Sequence, residues 1–190
     1  AILCGVTAIG LVANAYRDRA KNIFAFVGVP YVALPVLALV LLRAHSVWGV
    51  HAIMWVMLVV WATDTFAYFA GRMFGGPKLA PVLSPKKTWS GLLGGMFGAA
   101  LISSIYASIN LPGWLGLAFV AAALAAIAQL GDIFESALKR TYGVKDSGYL
   151  IPGHGGVLDR VDGLVAAGLV AAIIGFARNS SSLAEGLLLW

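Results

Sequence analysis

The sequence predicts an all-α fold, a polytopic integral membrane helical bundle, and three observations carry that reading. Hydrophobic residues make up 61% of the 190-residue chain and charged residues 11%, against roughly 45–50% and 25% in soluble domains. The mean hydropathy is +0.90, and the apolar residues fall in runs close to the length an α-helix needs to cross the hydrocarbon core. The basic residues gather in alternate connections between those runs. A soluble domain is excluded, and so is disorder, which needs a chain poor in apolar residues. Cys4 is the single cysteine, so no internal disulfide forms, and no Cys/His cluster points to zinc. The formal charge of +5 then speaks to orientation in a membrane rather than to nucleic acid.

The opening stretch 1–16 is apolar from Ile2 with no charged region ahead of it, so it does not read as a signal peptide. It reads as the end of a helix begun upstream, and residues 1–190 as a single transmembrane domain truncated at its N-terminus. Five full spans follow, at 23–42, 49–70, 91–108, 114–131 and 161–177. In the third, Gly91, Gly94, Gly95 and Gly98 set small residues four apart, the pattern that lets helices pack closely in lipid. Trp55 and Trp61 read as packing or interface residues. His45 and His51 lack the spacing of a ligand pair.

Alternating the spans puts the connections 17–22, 71–90 and 132–160 on one side. That side holds Arg17, Arg19, Lys21, Arg72, Lys78, Lys86, Lys87, Lys139, Arg140, Lys145 and Arg160, leaving only Arg43 and Arg178 of the 13 basic residues opposite. The basic side is therefore expected to be cytoplasmic. The loops 71–90 and 132–160 are the places to look for chemistry.

In the second loop, Asp132, Glu135, Ser136 and Lys139 share one face of a helix continuing out of its span. Pro152 and several glycines then break the backbone, and Asp159 and Asp162 restart it, again on one face. Carboxylates on two facing helix ends suit a hard divalent cation, and magnesium takes one or two of them together with substrate phosphates. Lys139, Arg140, Lys145, His154 and Arg160 surround them with phosphate-binding charge. Gly155 and Gly156 let backbone N–H groups approach an anion. A salt-bridged juxtamembrane loop would account for Lys139 and Arg140. It accounts poorly for Asp132, Asp159 and Asp162, which stand at span ends where charge is costly.

The first loop is kept out of helix by three prolines, and Lys78, Lys86 and Lys87 make it attractive to anions. Taken alone it fits an anionic-lipid patch as well as a nucleotide clamp. Asp64, inside an apolar span, adds an intramembrane carboxylate, a functional candidate by default.

Several of these segments together are recognisable. Ser136-Ala-Leu-Lys139-Arg140, Lys145-Asp146-Ser-Gly148, Pro152-Gly-His154-Gly155-Gly156 and Asp159-Arg160-Val-Asp162 resemble the signature of phosphatidate cytidylyltransferases, the CDP-diacylglycerol synthases. Asp64-Thr65 and Ser84-Pro85-Lys86-Lys87-Thr88-Trp89 are similar to that family too. The likeness runs from Asp64 to Gly163 and departs from the usual residues at Phe66, Ser90 and Gly163. The resemblance implies a reaction of CTP with phosphatidic acid in the lipid bilayer, giving CDP-diacylglycerol and diphosphate. It implies Mg2+ and room for a second cation, a homodimer, and a bacterial inner membrane with the active site facing the cytoplasm. Asp132, Asp159 and Asp162 are the expected metal ligands, with Asp64 and Asp146 as further candidates. Lys139 and His154 would act on the reacting phosphates. Lys86, Lys87, Arg140, Lys145, Arg160, Ser136, Gly155 and Gly156 would bind substrate. Two rivals share the setting: a CTP-dependent polyprenol kinase, and a transporter using intramembrane carboxylates.

Overall fold

Lipid offers no partners to backbone N–H and C=O groups, so an apolar run inside it closes its own hydrogen bonds as a helix. The computed structural model describes residues 22–111, 113–141, 143–144, 147–148, 156 and 158–190, with the side chains of 22–27, 141 and 160 excepted. It contains α1 (Asn22–Arg43), α2 (Trp48–Phe74), a hairpin of β1 (Lys78–Ala80) and β2 (Ser84–Thr88), and α3 (Trp89–Asn110). These are followed by α4 (Leu115–Thr141), α5 (Leu158–Arg178) and the short α6 (Leu183–Leu188). The stretches Trp48–Phe74, Trp89–Asn110, Leu115–Arg140 and Val161–Arg178 are each long and apolar enough to cross a membrane, and Gly28–Arg43 in α1 is a shorter apolar helical stretch. The chain is an all-α, polytopic integral membrane protein. The five expected spans correspond in order to α1–α5; the opening stretch 1–16 lies outside the described residues.

The glycine row works as small residues in lipid should. A Cβ on Gly94 would fall on Ala70 Cβ, and one on Gly98 would fall inside the Phe66 ring. Close approach brings Trp55, fully buried, to donate its indole N–H to Ser103 Oγ at 2.8 Å. Trp61 instead faces outward, 59% exposed.

Both ends of the bundle are tied by side chains, and the ties respect the expected alternation of sides. At one end His45 Nε2 lies 3.2 Å from Glu185 Oε1. There Arg178 donates to Gly186 O at 2.6 Å and Leu189 O at 3.0 Å, with its guanidinium 3.8 Å from the Trp190 ring centre. No span is expected in 178–190, which follows the last apolar run. It is in fact folded back on the bundle, with Leu187 and Leu188 fully buried.

At the other end, α2 stops at Gly75 and Gly76, whose φ of 60° and 99° no β-branched or bulky residue adopts cheaply. The chain then turns into the hairpin, where Lys78 pairs with Thr88 and Ala80 with Ser84 in antiparallel register. The three prolines do exclude helix from 75–88, as expected, yet the segment is a β-hairpin rather than irregular loop. Thr88, 5% exposed, ends it and caps α3 by accepting from Gly91 N at 3.1 Å.

Contact between α2 and α3 should be intolerant of even one methyl group. A Cβ on Gly95 would lie 2.7 Å from Gln129 Nε2 and 3.0 Å from the backbone oxygen of Thr63. Gly95→Ala should therefore destabilise by about 1–3 kcal/mol through overpacking. Gly28→Ala meets nothing within 4 Å and should be neutral or slightly stabilising, as Ala favours helix. Thermal unfolding of the two variants in detergent compares them directly.

Candidate active site

On α4, Gln129, Asp132, Glu135, Ser136 and Lys139 recur at helical spacing and so form one polar stripe on an otherwise apolar helix. β2 lies beside that stripe. Lys87 Nζ is 2.6 Å from Asp132 Oδ2 and donates to Gln129 O at 3.0 Å. The two loops singled out from sequence thus meet through one ion pair. Next to it is a cavity of about 180 Å³ whose lining includes Asp64, Lys86, Lys87, Gln129 and Asp132. Asp64 comes from α2, so three segments far apart in sequence converge there. Lys86 is exposed at its edge.

Further along α4, Lys139 Nζ bonds Asp159 Oδ1 at 2.7 Å and sits 3.2 Å from Glu135 Oε1. This joins the end of α4 to the start of α5. Asp159 Oδ2 accepts from Ser147 N at 2.9 Å and Gly156 N at 2.8 Å. Burial works against the Asp159 charge, but Lys139 and the N–H donors of Ser147 and Gly156 outweigh it. The carboxyl is held well below the usual carboxylate range. Gly156 is required by proximity, because a Cβ there would fall on Ser147 Oγ.

Asp162 stands between the two ties, close enough for its charge to act on both Asp132 and Glu135. Asp132 Oδ1 also lies 3.2 Å from the Cβ position of Gly163, so a smaller residue there gives the carboxylate its room. Asp132, Asp159 and Asp162 do not converge as a cage, and among the described residues no three carboxylate or imidazole groups do. A divalent cation nevertheless fits the donors present. Asp132 Oδ1 and Glu135 Oε2 are buried without hydrogen-bond partners among the described residues, Glu135 Oε1 has the Lys139 ammonium that Asp159 shares, and Glu135 is 1% exposed. Buried anionic oxygens left so are costly. Hard oxygen donors in ones and twos, completed by water and phosphate, are how magnesium is usually held.

Of the remaining expected site residues, Ser136 is half-buried on the α4 stripe and Arg140 is exposed at its end. Lys145, Asp146, His154 and Gly155 lie outside the described residues, as does the side chain of Arg160. Two residues were missing from the expected set. Glu135 carried a signal, three positions after Asp132 on the same face. Gln129 carried only its polarity within an apolar run.

The sequence is similar to those of known proteins. The sequence profile of the cytidylyltransferase family matches residues 2–177. The chain belongs to the cytidylyltransferase family. A phosphatidate cytidylyltransferase of Brucella abortus is 49% identical over 152 residues, covering 78% of this chain and 55% of the relative. The enzyme of that name from Staphylococcus saprophyticus is 39% identical over 170 residues, covering 84% of this chain and 64% of the relative. That from Rickettsia bellii is 37% identical over 184 residues, or 92% and 78%. The chain thus spans little more than half the length of the Brucella relative.

The Asp159 tie has a definite pH signature. A carboxyl whose folded-state pKa is depressed stabilises fully above its unfolded value, about 3.9, and loses that contribution as pH falls toward the folded value. The stability difference between the parent chain and Asp159→Asn should be constant above about pH 5 and shrink below about pH 4. Thermal midpoints of both proteins across that range measure it.

Proposed function

We propose that this chain transfers a cytidylyl group from CTP to phosphatidate, giving CDP-diacylglycerol and diphosphate. The observation that carries the reading is the Lys87–Asp132 pair, which sets a basic hairpin against a carboxylate stripe at the mouth of a membrane bundle. Such a site offers positive charge to phosphates and negative charge to a cation at the depth of a lipid headgroup. The names of the relatives support the same reaction.

The lipid phosphate attacks the α-phosphorus of CTP in line, and diphosphate leaves. A phosphate monoester has its second pKa near about 6, so it is mostly a dianion at neutral pH and needs no strong base. The protein's task is to position and neutralise. Lys86 on the cavity edge binds the triphosphate, and Lys87 reaches it from its place on Asp132. Lys139 and Arg140, at the α4 end, hold the lipid phosphate, with Lys145, His154, Gly155 and Arg160 assigned to the same phosphates through the signature. Magnesium would supply charge to the phosphate oxygens, and it would be held by one or two of Asp132, Glu135 and Asp162, with water and phosphate completing its shell. Asp159 serves the site through Lys139. The family likeness further suggests a homodimer. The skewed distribution of basic residues supports a cytoplasm-facing site in a bacterial inner membrane.

CTP radiolabelled on its α-phosphate, incubated with the purified chain, magnesium and phosphatidate, should yield a labelled lipid. A lipid or polyprenol labelled from γ-labelled CTP in a parallel reaction, and not from α-labelled CTP, would establish a kinase instead. Lys86→Ala should weaken CTP binding by about 1–3 kcal/mol, the worth of a charged hydrogen bond, with a smaller effect on the KM for phosphatidate. Lys87→Ala should also lower kcat, because it strips Asp132 of its partner. Steady-state kinetics on both substrates separate the two outcomes.

A further inference from the structure

Asp64, Tyr68 and Arg72 follow one another at intervals of four along α2, so they lie along one side of that helix. Asp64 and Tyr68 line the cavity of about 180 Å³ beside the Lys87–Asp132 pair. Arg72 donates from its guanidinium to the Tyr68 hydroxyl at 2.9 Å, which holds the cation at the cavity's rim. Its neighbour Gly71 lies against the end of the hairpin, where a Cβ would stand 2.9 Å from Thr88 Oγ1. Among the described residues Arg72 pairs with no carboxylate. A fork of five donors thus meets one neutral oxygen.

The cavity's own side chains balance in charge. Lys86 and Lys87 are formally offset by Asp64 and Asp132, and Lys87 is already committed to Asp132 at 2.6 Å. A triphosphate carries a negative charge on each phosphate, and a second on the last one above about pH 6. The cavity is also small beside the roughly 300–1,000 Å³ of a typical ligand pocket, so a bound nucleotide extends to the rim. We propose that Arg72 binds the terminal phosphates of the triphosphate there, set in place by Tyr68. The proposal rests on the reading that CTP is the donor. With the lipid phosphate held at the Lys139 end of α4, the α-phosphorus faces α4 and the leaving phosphates point back toward α2. A guanidinium meets phosphate oxygens two at a time, and the Tyr68 hydroxyl aims the fork without neutralising it.

The test uses the full chain in detergent micelles containing phosphatidate. It compares KM for CTP and for phosphatidate with the inhibition constants of inorganic diphosphate and CMP. Arg72 is exposed, so Arg72→Gln should fold as the parent does. It should raise the KM for CTP and the inhibition constant of diphosphate about tenfold each, as a lost charged hydrogen bond does. The constants for phosphatidate and CMP should hold. Arg72→Lys should recover only part of the loss, because it keeps the charge but not the fork. Tyr68→Phe should raise the same two constants about threefold, and should add nothing in the Arg72→Gln background, since it acts through Arg72. Constants that all stay unchanged would leave Arg72 as a plain cytoplasmic-side charge. A rise confined to the KM for phosphatidate would assign it to the lipid phosphate. Either result overturns the proposal. A parent chain that makes no cytidylyl lipid would refute the proposed reaction, and direct titration with magnesium diphosphate then decides Arg72. Binding about tenfold weaker in Arg72→Gln than in the parent supports the assignment. Equal binding, or none by either protein, overturns it.

Discussion

Lys87 and Asp132 meet at 2.6 Å where β2 lies against α4, each side chain about four-fifths buried. Neither charge could stay there alone, because an unpaired ion at that depth costs several kcal/mol. The pair therefore dictates where the hairpin sits. The hairpin in turn ends in Thr88, which caps α3, so the cap, the glycine row and the α2–α3 contact are all indexed to the same ion pair. Lys139 with Asp159 repeats the device about two turns along α4 and sets the start of α5. Two lysines thus assemble a polar site from three elements, β2, α4 and α5, that lipid would otherwise arrange by apolar packing alone.

Glu135 is the residue whose environment demands most. It is almost wholly buried, and its nearest cation, Lys139, is shared with Asp159. Structures seldom retain an under-compensated carboxylate without a use for it, since replacing it with an apolar residue would relieve the cost. Its position between Asp162 and Lys139 makes it part of the same electrostatic unit, in which changing one charge shifts all the others.

The fold was largely legible because the bilayer imposes one length and one periodicity on every span. Span order, the Gly91–Gly98 contact and the grouping of Lys139 with Glu135 all follow from spacing alone. The hairpin was not legible. Its pairing depends on the two left-handed glycines, Gly75 and Gly76, and on Lys87 finding a partner 45 residues away in sequence. Nor was the split between Asp159 and the other carboxylates. The signature from Ser136 to Asp162 holds Asp159 and Asp162 alike but says nothing of Ser147 N and Gly156 N, which engage Asp159. The folding back of α6 was hidden for a similar reason, because six residues are too few to show a period and their burial is set by Arg178.

Helix α5 is pinned at both ends, by Asp159 to Lys139 and by Arg178 to the carbonyls of α6. Its 21 residues span about 31 Å at 1.5 Å per residue, close to the hydrocarbon thickness of an average bilayer. A helix fixed this way cannot slide to meet a thinner or thicker membrane. Hydrophobic mismatch must be absorbed by tilting the bundle or by deforming nearby lipid. Bilayer thickness thereby acquires mechanical leverage on the carboxylate end of α5, so that the composition of the surrounding membrane would bear on the geometry of the site.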